Sequence, residues 1–201
     1  MNPSTPGAEK KEKTPFIHTV YDFLELFVIA ICIVFVVFSF AVRLCRVSGP
    51  SMENTLYDGE MLLTSDLFYT PKQGDVIVFH QTHDTITRYN ELIVKRVIAT
   101  EGQFVKVVSD GVYVSDDDSF DESERLDESL YAYMDVGFML NYYDALDKVF
   151  EVPEDCLFVM GDNRNHSADS RDPQIGFVDE RRVVGKVIVR VAPLSRFGAI
   201  Q

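Results

Sequence analysis

Three segments of the chain carry side chains that could act as a nucleophile or as a base. The first is the nucleophile segment, residues 48–56, with the sequence SGPSMENTL. Its Gly49-Pro50 pair favours a turn or kink that lifts the next side chain, Ser51, out of a packed layer. A serine hydroxyl becomes a strong nucleophile when an adjacent base takes its proton. Ser51 is therefore a candidate nucleophile, although a serine after Gly-Pro is usually only a turn residue.

A lysine on a predicted strand is the candidate base. Residues 91–99, ELIVKRVIA, are rich in β-branched side chains and predict a strand. Because successive side chains of a strand alternate between its two faces, Lys95 shares a face with Ile93 and Val97. Apolar surroundings penalise the ammonium form and lower the pKa of a lysine, which makes Lys95 a candidate general base. The alternative is a lysine that snorkels to the strand edge and stays charged.

The third segment, residues 161–171, has the sequence GDNRNHSADSR. It is dense in short polar side chains that bond to neighbouring backbone. An ion pair between Asp169 and Arg171 would stiffen it and leave Ser167 as a hydroxyl that can orient a neutral amine. An EF-hand calcium loop would need an acid or amide in place of His166 and glycine in place of Ser167, so the pattern excludes that loop. A plain turn between strands is the alternative.

Other patterns argue against metal and nucleic acid. His80 and His83 have the spacing of a zinc pair, but no third ligand stands at ligand spacing. The net charge of −13 leaves no basic face for phosphate groups, so no nucleic-acid partner is expected. The three cysteines, Cys32, Cys45 and Cys156, cannot all pair within one chain. A Cys45–Cys156 disulfide stays open, but we favour a free, buried Cys156.

A long apolar run near the N-terminus predicts a membrane anchor. Residues 27–42, FVIAICIVFVVFSFAV, follow Leu26 without a charged residue. Phe23 and Leu24 extend the run to residues 23–42, which is long enough to cross a bilayer. A cleaved signal sequence is the alternative, but its apolar region would be shorter and would end in small residues rather than in the RLCR that follows here.

The anchor divides the chain into three predicted parts. Residues 1–22 are predicted to form a flexible cytoplasmic tail, residues 23–42 the anchor, and residues 43–201 an extracytoplasmic catalytic domain. The protein as a whole is predicted to be a single-pass protein of the cell membrane. Three lysines precede the span and two arginines follow it, which favours a cytoplasmic N-terminus.

The body of the domain is predicted to be mainly β and antiparallel, because runs of β-branched and aromatic residues alternate with turns. The predicted strands are residues 61–64, 75–79, 91–99, 104–109, 112–115 and 156–160, with one or two more between 177 and 191.

Two features interrupt the predicted strands. Asp110-Gly111 predicts a hairpin with a type I′ turn. An acidic, partly helical insertion at about residues 116–147 is expected to have a structural role. Within it, Ser119 and Glu122 predict a capping box, and residues 140–150 a short helix.

Taken together, SGPSMENTL after an anchor, VKRVIATEG in mid-chain and GDNRNHSADSR near the end resemble the type I signal peptidases of bacteria. These are membrane-bound Ser-Lys endopeptidases that remove signal peptides from exported preproteins. The similarity runs from the anchor to the C-terminus, apart from the acidic insertion. It implies a mostly β signal-peptidase-like domain and no metal or cofactor. It also implies secretory preproteins and the lipid bilayer as partners, and cleavage after small residues of the Ala-x-Ala type.

The resemblance also implies roles for individual residues. The nucleophile falls on Ser51, the general base on Lys95, and a serine that hydrogen-bonds the lysine falls on Ser167. Some family members have a hydroxyl that helps to bind the oxyanion at the position of Gly49. The departure leaves the Ser51 backbone N–H as the oxyanion donor, and one missing donor costs about 100-fold to 1,000-fold in rate.

The remaining implied residues support the third segment. Asp162 would pair with Arg96, the residue after the base, and Asp169 and Arg171 would stiffen the loop.

Four alternatives remain. They are a triad that uses His166 with Asp162 or Asp169, a self-cleaving Ser-Lys protein, a catalytically impaired homologue, and a membrane-anchored acidic binding or scaffold protein.

Overall fold

The computed structural model describes residues 16–82, 90–109, 111–133 and 143–200. The predicted tail up to residue 15 and the side chain of His83 lie outside this part of the chain. The protein separates into two compact units, Met1–Phe40 and Ala41–Gln201.

The first unit contains one long helix. Helix α1 covers Phe16–Ala41, and its segment Ile17–Val36 has a mean hydropathy of 2.3 with no buried residues. A helix of 26 residues is about 39 Å long, enough to cross a bilayer. It begins before the predicted anchor because residues 16–22 contain neither glycine nor proline, so nothing in them breaks the helix.

The second unit is built from antiparallel strands, as the sequence predicts. The strands are β1 (Arg43–Arg46), β2 (Met61–Ser65), β3 (Val76–Thr82), β4 (Asn90–Ala99), β5 (Phe104–Val108), β6 (Gly111–Ser115), β7 (Val149–Glu151), β8 (Cys156–Met160), β9 (Val178–Asp179), β10 (Val183–Ala192) and β11 (Gly198–Ala199). The larger sheet has the order β1-β2-β10-β3-β4-β8-β9, with β11 paired to β10, and the smaller sheet has the order β6-β5-β7.

Strand β10 joins the two halves of the larger sheet although it comes late in the chain. It pairs with β2 on one side and with β3 on the other. At Gly185 it passes so close to β2 that a Cβ atom would lie 2.6 Å from the carbonyl carbon of Ser65. The φ of Gly185 is +152°, in the region that favours glycine. This glycine therefore permits the close crossing.

The described part of the insertion differs from the prediction in two details. The capping box forms between Asp121 and Glu124, around a 3₁₀ turn at Glu122–Glu124. Ser119 does not cap it because its hydroxyl and N–H both donate to Asp117. In place of the helix predicted over residues 140–150 the structure has a 3₁₀ turn, Tyr143–Ala145, followed by β7.

Pairing with a neighbouring strand explains why the helix predicted over residues 140–150 does not form in its described part. The β-branched and aromatic residues Val149 and Phe150 pair with the edge of β5, so tertiary contacts override the helical pattern. Residues 140–142 lie outside the described chain.

The hairpin of β5 and β6 closes with the pair Val108 and Gly111, so Gly111 belongs to the strand. The predicted turn type involves Asp110 and also lies outside the described residues.

The cysteines are free, and their burial differs from the expectation. Cys45, on the short strand β1, is 7% exposed and lies 3.8 Å from the Thr64 hydroxyl. Cys156 is only half-buried. The expected burial of Cys156 is wrong because it stands at the first position of β8, where only the following four residues enter the core.

Candidate active site

The side chains of Ser51 and Lys95 meet in the second unit. The Lys95 Nζ atom donates a hydrogen bond to Ser51 Oγ over 2.7 Å. Lys95 lies on β4 opposite Ile77 of β3 and is 3% exposed. This burial lowers the pKa of Lys95 to about 8, against the opposing influence of the Asp169 and Asp162 charges. With this pKa about a tenth of the amine is neutral at pH 7 and about half at pH 8, far more than for an ordinary lysine, and a general base acts in this neutral form.

The nucleophile segment is held by its apolar side chains. Met52 and Leu56 are buried in the core, and the Leu56 N–H donates to the Met52 carbonyl over 2.7 Å. Gly49 has a φ of +85°, and its N–H donates to Asp58. A side chain at this φ is strained, which gives a backbone reason for glycine at this position.

The third segment packs directly against the nucleophile. Because Arg96 of β4 pairs with Met160 of β8, the chain leaves β8 beside the base. The Asn163 N–H donates to the Ser51 carbonyl and its side-chain amide donates to the Pro50 carbonyl, both over 3.1 Å. At Gly161 a Cβ atom would overlap the Ser51 carbonyl oxygen and the Ser167 side chain. Gly161 and Asn163 therefore set the position of the Ser51 backbone.

Sequence reasoning assigned no role to Gly161 or Asn163. The available signal was the position of this glycine directly after a predicted core strand, where a close backbone approach is common.

Asp169 organises the interior of the third segment. Its two carboxylate oxygens accept from Nε and Nη2 of Arg171 over 2.8 Å, and one of them also accepts from the Gly161 N–H over 3.0 Å. Burial would raise the pKa of Asp169, but the Arg171 charge and hydrogen bonds from Arg171, Gly161 and Ser167 outweigh it and lower the pKa. The Ser167 hydroxyl thus favours the charged form of Asp169. A bond from Ser167 to Lys95, implied by the family resemblance, stays a prediction.

Asp162 and Arg96 form a buried ion pair. Arg96 Nε and Nη2 donate to the two carboxylate oxygens of Asp162, each over 2.8 Å, and Nη1 donates to the Gly74 carbonyl over 2.7 Å. The Thr55 hydroxyl donates to the same carboxylate. Through Thr55, Arg96 and Asp162 this cluster connects the nucleophile segment, the base strand and the third segment.

An open cleft of about 450 Å³ adjoins the dyad. Its walls include Met52, Ile93, Val94 and Ile175, so most of the surface beside the reactive atoms is apolar. A peptide in this cleft would present its carbonyl to Ser51 Oγ while its side chains contact aliphatic groups. Within the described chain, no acceptor is hydrogen-bonded to the Ser51 N–H, so this donor is available to an oxyanion.

The other residues singled out in the sequence contribute less. His166 is exposed, and among described residues the side-chain partner of Ser51 is Lys95. The described residues contain no group of three or more His, Cys, Asp or Glu side chains placed to bind a metal ion.

The model of the signal peptidase family, peptidase S26, matches residues 20–192. The chain belongs to the signal peptidase family. It is 32% identical to signal peptidase I of Mycobacterium tuberculosis over 91% of this chain and 76% of that protein. It is 33% identical to signal peptidase IB of Staphylococcus aureus over 84% of this chain and 87% of that protein.

A crystal structure of a signal peptidase I from Enterococcus faecalis also matches, at 23% identity over 59% of this chain and 97% of that one. The TM-score of this match is 0.36. Family membership makes the chain a serine peptidase, and α1 is the membrane-anchoring helix expected of a signal peptidase.

Proposed function

We propose that this signal peptidase removes N-terminal signal peptides from exported preproteins, with Ser51 as nucleophile and Lys95 as general base. The observation that carries the proposal is the 2.7 Å hydrogen bond between a buried amine of lowered pKa and a serine hydroxyl at an open cleft. Buried lysines of this kind act as bases because desolvation favours their neutral form.

The reaction is an acyl transfer in two halves. Neutral Lys95 takes the Ser51 proton while Oγ bonds to the carbonyl carbon before the scissile bond, and the Ser51 N–H donates to the resulting oxyanion. The Lys95 ammonium then protonates the leaving amine as the C–N bond breaks. In the second half, Lys95 takes a proton from water, the hydroxide displaces Ser51 from the acyl group, and the proton returns to Oγ.

The supporting residues keep this geometry fixed. The pair of Asp162 and Arg96 holds the third segment against the base strand, while Asp169 and Arg171 stiffen its interior. In this scheme Ser167 orients the neutral amine of Lys95. All these side chains are buried, so they act on the position and charge of the dyad rather than on the substrate.

We also propose that the cleft takes small residues before the cut. Its aliphatic walls beside Ser51 suit apolar side chains, and the restriction to small residues of the Ala-x-Ala type is what the family resemblance implies. We place the N-terminus in the cytoplasm, α1 in the bilayer and residues 43–201 outside the membrane. Protection of residues 43–201 from protease in sealed inverted vesicles would support this orientation, and digestion there would contradict it.

Cleavage of a detergent-solubilised preprotein with an Ala-x-Ala site tests the chemistry. The wild type should cut after the second alanine, whereas Ser51→Ala and Lys95→Met should be folded and inactive. The neutral fraction of Lys95 falls about tenfold per pH unit below its pKa of about 8. The value of kcat/KM should therefore fall about tenfold for each pH unit below that pKa. A Lys95→Met variant that still cuts would reject Lys95 as the base and make His166 the candidate.

A further inference from the structure

A short part of the acidic insertion passes beside all three segments that build the site. This part, Glu128–Tyr133, is called the strap here. Glu128 is 5% exposed although it closes an otherwise solvated acidic run. The strap does not line the cleft beside Ser51.

The strap is bonded to the third segment at several atoms. Glu128 forms a short ion pair with Arg164, and both side chains are buried. The Tyr133 N–H donates to the Asp162 carbonyl over 2.7 Å, and the Arg164 N–H donates to the Tyr133 carbonyl over 3.0 Å. These backbone bonds enclose Asn163, the residue whose N–H and amide hold the Ser51 and Pro50 carbonyls.

Tyr131 connects the strap to the other two segments. The Arg96 guanidinium lies over the Tyr131 ring, 4.1 Å from its centre, while the same guanidinium binds Asp162. The Tyr131 carbonyl accepts from the Asn54 side chain over 3.0 Å, three residues after the nucleophile. A face-on contact between a guanidinium and an aromatic ring is attractive, more so when it is desolvated.

We infer that the strap is a positioning element of the catalytic site, which fixes the third segment against the nucleophile segment and the base strand. The inference rests on the proposed Ser-Lys chemistry. Removal of the Glu128 charge leaves the Arg164 guanidinium buried without its counter-charge, a costly state that the loop relieves by moving. Such a movement displaces Asn163 and, with it, the Ser51 carbonyl.

Three variants and one control test the inference in the full-length protein. Glu128→Gln removes the charge at nearly constant shape, Tyr131→Leu removes the ring, and Tyr131→Phe keeps it. Asp118→Asn removes an exposed charge from the same insertion and is the matched control. The kcat and KM for an Ala-x-Ala preprotein are measured per folded molecule, with the folded fraction taken from near-ultraviolet circular dichroism of each sample.

A positioning role predicts a specific pattern. Glu128→Gln and Tyr131→Leu should lower kcat per folded molecule by about tenfold to 100-fold, because a displacement of about 1 Å costs rate on this scale. Their KM should stay within about twofold of the wild type, since the strap does not line the cleft. Tyr131→Phe and Asp118→Asn should keep wild-type kcat.

Two results would overturn the inference. A wild-type kcat per folded molecule in both Glu128→Gln and Tyr131→Leu means that the strap only stabilises the fold, and overturns the inference. A raised KM at constant kcat also overturns it, because the strap would then act on substrate binding. If Glu128→Gln fails to fold, Tyr131→Leu compared with Tyr131→Phe decides. Cleavage by Ser51→Ala at the wild-type rate would reject the Ser-Lys proposal itself, and the strap inference with it.

Discussion

Lys95 is held in a place that disfavours its charged form. The side chain is 3% exposed, and its hydrogen-bond partner is a neutral hydroxyl rather than a carboxylate. The charges of Asp169 and Asp162 oppose the loss of hydration only in part, since the pKa still falls to about 8. A residue that is useful to catalysis in this way lowers the stability of the fold around it.

This cost predicts a pH-dependent difference between the wild type and Lys95→Met. The pKa is about 8 in the folded state and 10.5 without the fold, so Lys95 destabilises the wild type fully below pH 8 and not at all above pH 10.5. The wild type should therefore gain about 3 kcal/mol relative to Lys95→Met between these limits. Urea unfolding of both proteins in detergent at pH 7 and pH 10.5 measures the gain. A constant difference would mean that Lys95 keeps an ordinary pKa.

Gly161 gives a second prediction at this scale. The Cβ atom of Gly161→Ala would overlap the Ser51 carbonyl oxygen, and that backbone cannot retreat without moving the nucleophile. We expect kcat to fall at least about 100-fold. Gly198→Ala is the matched control, because nothing lies within 4 Å of a Cβ there. Near-normal turnover by Gly161→Ala would show that the nucleophile tolerates a displacement of the third segment.

Residue types alone predict the candidate nucleophile, the candidate base and the charges near them. Ser51, Lys95 and the acid and base pairs are predictable because hydroxyl, amine, carboxylate and guanidinium groups have specific chemistry. Gly161 acts through the absence of a side chain, and Asn163 acts partly through its backbone N–H. The need for such residues depends on which two segments approach each other, and only the folded structure defines that approach.

At the scale of elements, the site depends on how the sheet is assembled. Ser51 follows β1 and precedes β2, whereas Lys95 lies on β4. In the larger sheet, the pair β1 and β2 is joined to the strands β3 and β4 by β10, which pairs with β2 and with β3. The distance between the nucleophile and the base is therefore sensitive to the packing of β10.

Gly185 is the position at which this dependence can be tested. In Gly185→Ala the new Cβ would lie 2.6 Å and 2.7 Å from the carbonyl atoms of Ser65, at a φ of +152°. Strain of this kind should destabilise the second unit by about 1 to 3 kcal/mol and lower kcat per folded molecule, since β2 and β3 move apart. Thermal unfolding and preprotein cleavage measure the two effects. Unchanged unfolding and turnover would show that the sheet absorbs the extra atom.

The elements predicted correctly are those with runs of β-branched residues, such as β3 and β4. The missed strands are β1, β7 and β11, which have four, three and two residues. Strands β1 and β7 lie at sheet edges, and β11 pairs with β10 beside the main order of strands. Edge strands this short owe their conformation to a partner strand rather than to their own pattern. The contacts of the strap also depend on a partner that is distant in sequence. An acidic run alone does not predict that Glu128 pairs with Arg164.

At the scale of the whole molecule, we propose separate tasks for the two units. The chain separates between Phe40 and Ala41, and the dyad and its supporting residues all belong to the second unit. We assign catalysis to residues 43–201 and attachment to the bilayer to the span at 23–42. Attachment raises the effective concentration of a substrate held in the same membrane.

Removal of residues 1–40 tests this division. The remaining chain should cut a short soluble Ala-x-Ala peptide with unchanged kcat/KM, because the site is intact. Its rate on a preprotein embedded in lipid vesicles should fall by about 100-fold or more relative to the full chain. The full-length chain in the same vesicles is the reference. Equal rates on the embedded preprotein would show that the anchor does not serve encounter with substrate.

The late position of β10 in the chain bears on the order in which the parts of the site are made. Synthesis runs from the N-terminus, so Ser51 and Lys95 are both made long before Val183–Ala192, the strand that joins their halves of the sheet. A growing chain thus carries its nucleophile and its base without the framework that brings them together. We therefore expect proteolytic competence to begin only when nearly the whole polypeptide has been produced.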